Sequence, residues 1–101
     1  MSWLSTLNSN LLSISTAASG VNQNMQNMIA AVNLAISGIK SVPHSEDNFD
    51  TSSFITTYSR AGILSSLSII LGCAQRGDTI GLFIALNNLQ GFLNIELPPG
   101  I

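Results

Sequence analysis

With 101 residues, 46 % of them hydrophobic, the chain has the size of one domain with its own core. A net charge of −2 with only three basic residues excludes a groove for a nucleic-acid backbone. Just 8 % of positions are charged, against roughly 25 % in an average soluble domain, so fifteen Ser and ten Asn must wet the surface or an assembly must hide it. Near-neutral surfaces tend to associate, which favours the assembly.

The first 39 residues carry no charged side chain. Alternating steps of three and four from Leu4 reach Leu7, Leu11, Ile14, Ala18, Val21, Met25, Met28, Val32, Ala35 and Ile39 without meeting a polar residue. This is the a/d seam of a heptad helix, the stripe that a coiled coil buries against a partner. Ser5, Ser9, Ser13, Thr16, Ser19, Gln23, Gln26 and Asn27 form the other face.

Gly20 is the weak point, since glycine costs about 1 kcal/mol in a helix interior, and Ser19-Gly20 could end a first helix. A break normally shifts the rotational phase, yet Ala18, Val21 and Met25 continue in register. The expectation is therefore one helix over 3–40, about 55 Å long at 1.5 Å per residue. Beyond Met28 the apolar face widens through Ile29, Ala30, Ala31, Leu34 and Ile36, so that half should be buried from more than one side.

Ser41-Val42-Pro43 stops the helix, because proline donates no hydrogen bond and disfavours a helical residue before it. Residues 41–52 read as a polar linker in which Asp50, Thr51 or Ser52 could cap a second helix over 53–75. On that helix Phe54, Tyr58, Ala61, Leu64, Leu67 or Ser68, and Leu71 trace one face, broadened by Ile63, Ile69 and Ile70. Arg76-Gly77-Asp78 makes the next corner, with Gly77 suited to a left-handed position and Asp78 to a cap. A third helix over 79–93 places Leu82, Leu86, Leu89 and Leu93 on one side, and 94–101 is an extended tail.

Charges follow the helix ends. Lys40 and Arg76 fall at C-termini and Glu46, Asp47, Asp50 and Asp78 at N-termini, where each opposes the helix dipole. Arg60 and Glu96 stand apart; they could pair with each other or with a neighbouring subunit, or be solvated.

Catalytic and metal-binding patterns fail on their requirements. Ser37-Gly38-Ile39-Lys40 fits S-x-x-K, but the supporting S-D-N and K-T-G motifs are missing from the chain. His44 is the sole histidine and Cys73 the sole cysteine, which removes His-cluster and Cys-based metal sites and any internal disulfide. Cys73 lies in an apolar run and reads as a small buried hydrophobe. Glu46, Asp47 and Asp50 lack the spacing of a calcium loop. Arg76-Gly77-Asp78 spells a tripeptide of adhesion ligands, but the helix corner already uses its glycine and aspartate. No enzyme, cofactor or small-molecule substrate is expected. Met1-Ser2-Trp3 lacks the positive start of a secretory signal, so none is expected either.

The expected fold is all-α. A long N-terminal heptad helix precedes a helical hairpin, three helices in one domain over 1–101, and the whole assembles as an oligomeric helical bundle. The two shorter helices cannot cover the N-terminal third of a 55 Å rod at the same rise per residue. Part of Leu4, Leu7, Leu11 and Ile14 should then be exposed in a monomer. The expected oligomer interface is Leu4, Leu7, Leu11, Ile14, Ala18, Val21, Met25 and Met28.

In its uncharged, Ser/Asn-rich heptads the chain resembles the terminal helices of flagellins, the hairpin subunits of type III secretion needles and small helical phage virion proteins. The Pro43 linker between two helices is similar to the needle hairpin, although such a hairpin needs no third apolar helix. The resemblance implies a structural subunit packed against copies of itself or other subunits, in a virion or a secreted injection assembly. The alternative is a membrane-active, pore-forming or ejected protein, suggested by a mean hydropathy of +0.40 and the apolar stretches 61–74 and 79–93. Each of these is shorter than the roughly 20 residues that span a bilayer.

Overall fold

The structure, a computed structural model, describes residues 2–20, 23–44 and 59–96. Among them it is all-helical, with α1 Ser2–Ala17, α2 Met25–Lys40, α3 Arg60–Arg76 and α4 Thr79–Glu96. The all-α class holds, but the single rod over 3–40 does not: it is two helices. Gly20 adopts φ +86°, a left-handed conformation that a continuous helix cannot contain. The chain leaves α1 through Ala18 N–H to Ile14 O and Ser19 N–H to Thr16 O. It enters α2 at Asn24, whose side chain accepts from Asn27 N–H at 2.8 Å. The principal extents are 39 × 24 × 22 Å, which a 55 Å rod would exceed.

The helices run up, down, up and down. Thr16 and Asn27 border one groove together with Ser13 and Ala30, so α1 and α2 are antiparallel. Arg60, at the start of α3, reaches the end of α2, while the tip of Met25, at the start of α2, approaches Gly77 just past α3. Ser66 and Ile69 border a second groove with Asn88 and Ala85, which makes α3 and α4 antiparallel too. Each helix packs on its successor, and α1 meets α4 more sparsely.

The seam fills the core. Leu4, Leu7, Leu11, Ile14, Ala18 and Met28 are buried, together with Val32, Ala35 and Ile39. The expected exposure of Leu4, Leu7, Leu11 and Ile14 is thus corrected, because α2 and α4 cover what a rod would have left bare. On α4, Leu82, Leu86, Leu89 and Leu93 are buried as the spacing predicts. On α3 the buried set is Ile63, Leu67, Ile70, Cys73 and Ala74. The face traced through Ala61, Leu64 and Leu71 is rotated from this by about one residue, or 100°. Ala61 is exposed, Leu64 and Leu71 are half-buried.

The α3–α4 corner is a Schellman turn. Gly77 lies at φ 69°, its N–H bonds to Ala74 O, and Asp78 N–H bonds to Cys73 O. Asp78 then caps α4 by accepting from Gly81 N–H at 2.9 Å. The second helix of the sequence reading begins later than expected, at Arg60 after a buried Ser59 whose hydroxyl accepts from Gly62 N–H. The proposed caps Asp50, Thr51 and Ser52, like Phe54 and Tyr58, lie outside the described residues.

Candidate functional site

Arg60 has a partner that sequence reading missed. Its Nη1 and Nη2 donate at 2.6 Å to Ile39 O and Val42 O, carbonyls at the end of α2. The last carbonyls of a helix have no partner within it, and a cation there also meets the negative end of the dipole. Lys40 in the last turn of α2 and Arg76 in the last turn of α3 stand where the sequence reading put them.

The expected interface residues do not come together as an outer surface. Leu4, Leu7, Leu11, Ile14, Ala18 and Met28 are enclosed, Val21 lies outside the described residues, and only Met25 is exposed. The outside carries other large apolar residues: Leu12, Leu34, Ile69, Ile80 and Ile84, each with more than half its surface accessible. Leu12 and Ile69 border two grooves. An open one of about 720 Å³ lies between α1 and α2, bordered by Leu12, Ala17, Ala30 and small hydroxyl residues. Leu34 sits one turn beyond Ala30 on the same stripe of α2. A smaller one of about 210 Å³ lies between α3 and α4, bordered by Ile69, Ala85 and Asn88. Ile80 and Ile84 continue the Asn88 stripe at four-residue spacing.

The polar part of this surface is partly turned inward on its own backbone. Ser13, Thr16, Ser19 and Ser41 each donate a hydroxyl to the carbonyl four residues earlier, at 2.7–3.2 Å. A hydroxyl so engaged asks less of water than an ammonium or carboxylate would, so covering it costs less desolvation.

The remaining chemistry-bearing side chains are dispersed. Cys73 is buried, with Arg76 Nη2 donating to its Sγ at 3.6 Å. Ser37 and Lys40 both lie exposed on the last turns of α2, and His44 is exposed at the edge of the described residues. Arg76, Gly77 and Asp78 are exposed at their corner, with the Asp78 carboxylate occupied by its cap. Among the described residues no group of three or more His, Cys, Asp or Glu could hold a metal ion, and no helix is long and apolar enough to cross a membrane.

Compared with protein-family models, curated proteins and solved structures, the chain matches none.

Proposed function

We propose that the chain is a non-enzymatic structural subunit, a helix-packing component of a larger particle such as a phage virion or an injection apparatus. The observation that carries this reading is the outer surface: exposed Leu12, Leu34, Ile69, Ile80 and Ile84 on a chain with 8 % charged residues. Scattered exposed aliphatic residues are ordinary where charges surround them. Here Ser, Thr, Asn and Ala border Leu12 and Ile69, and several of the hydroxyls are already bonded, so a partner surface can cover those grooves without stripping hydration from ions. Association through such a surface would hold copies, or other subunits, side by side without needing a charged pair to set the contact.

The test is a pair of substitutions on the outside of α4, Ile80→Asp with Ile84→Asp. Position 80 lies in the first helical turn, where α4 has no acidic residue and the dipole favours one. The thermal midpoint should stay close to that of the parent while light scattering shows a loss of large assemblies. Assemblies unchanged in size would contradict the reading. Incubation with liposomes addresses the membrane-active alternative, since partition of the parent protein into vesicles with no soluble oligomer would replace the structural reading.

A further inference from the structure

The seam keeps its three-four spacing across a turn that, in one folded chain, has no use for it. Ala18 ends the buried stripe on the α1 side and Met25 begins the α2 side, seven residues later, one whole heptad. An antiparallel pair of helices needs each helix to carry its own stripe; it places no demand on the phase between them. Met25 is moreover the one described seam position that the monomer leaves exposed, at 44 %. Two described residues of the turn have backbones incompatible with a helix running through: Asn24 is extended at φ −150° and ψ 158°, and Gly20 lies at φ +86°. A Cβ there would meet nothing within 4 Å, so its conformation is not imposed by crowding.

We propose that the partner of this chain is a second copy, joined by exchange of α1 across Gly20. This rests on the assembly reading above and deepens it. With Gly20 and Asn24 both in the right-handed region, α1 and α2 become one rod and the seam runs unbroken. The α1 of each copy packs on α2 and α4 of the other, remaking between chains the contacts that the monomer makes within one. The exchange buries no new charge, because the chain has none before Lys40.

The experiment uses the full chain with Asn10→Cys and Gly38→Cys, a pair already in side-chain reach, since a Cβ at Gly38 would lie 3.2 Å from Asn10 Nδ2. Cys73→Ala removes the native thiol. The oligomeric fraction is treated with a short bis-maleimide and run on a denaturing gel. Covalent dimers are expected, because residues 10 and 38 then meet across chains. Cross-links confined to single chains in that fraction would overturn the exchange while leaving association through the outer surface standing. A protein monomeric at all concentrations would overturn both. A second pair of variants reads the hinge itself. Gly20→Ala should raise the dimer association constant at least about tenfold, as alanine disfavours the left-handed region and favours helix. Gln23→Pro should lower it by a similar factor, because proline forbids the through-going helix. Equal constants for the parent and both variants would also overturn the exchange.

Discussion

Arg60 does work that its position hides. It opens α3, yet its guanidinium serves the end of α2, donating to Ile39 O, which also accepts from Val42 N–H, and to Val42 O. Hydrogen bonds to a charged group contribute about 1.5–3 kcal/mol. Arg60→Met, which keeps the aliphatic stem, should therefore lower unfolding stability by that amount in urea titration, whereas a solvated arginine would cost under about 0.5 kcal/mol. Asp78 is a simpler case. Its carboxylate lies so close to Gly81 that a Cβ there would fall 2.9 Å from Asp78 Cγ. Gly81→Ala thus gains about 1 kcal/mol of helix propensity and loses about as much capping, and the net change should lie near zero. In an Asp78→Ala background there is no cap left to displace, and the same substitution should become stabilising by about 1 kcal/mol.

At the scale of elements, the turn at Gly20 separates two accounts by sign. In the hairpin, Gly20→Ala places a side chain in the left-handed region and should destabilise the monomer by about 1–2 kcal/mol. In a continuous helix it would stabilise by about 1 kcal/mol. The helices differ in how far the amino-acid pattern discloses them. Leu82, Leu86, Leu89 and Leu93 are well-spaced leucines in α4, and their burial was legible, as was the Gly77-Asp78 junction. The phase of α3 was not, because Ile63, Leu64, Leu67, Ile69, Ile70 and Leu71 ring the helix and offer several equally apolar faces. The break between α1 and α2 was hidden by its own length, since 18 to 25 spans one heptad and leaves the period intact. Gly20 followed by Asn24, a left-handed stop and then a cap, was the signal that outweighed that period.

For the whole molecule, the change from rod to four antiparallel helices moves the candidate interface. A double substitution at Leu7 and Ile14, which a rod would tolerate as a surface change, here strikes side chains at 1 % and 0 % exposure. Such changes should unfold the domain rather than only disperse an assembly. A milder cut makes the contrast measurable: Leu11→Ala should cost about 2–5 kcal/mol in unfolding, as for an enclosed leucine. Leu34→Ala on the outer stripe of α2 should cost under about 1 kcal/mol while weakening association seen by sedimentation. The assembly role was suggested by composition, which indicates that a surface is poor in charge but not which residues form it. Only the folded chain separates Leu7 from Leu12, two leucines of one helix with opposite fates.

The most direct measurement is a distance within single molecules. Spin labels at Ser5 and Ser37, both exposed, report whether α2 folds back along α1. In the monomeric fraction, with Cys73→Ala to keep labelling specific, the account gives a separation on the order of 20 Å, two packed helices plus the label tethers. A separation of about 48 Å, 32 residues at the helical rise, would restore the straight rod and contradict the fold.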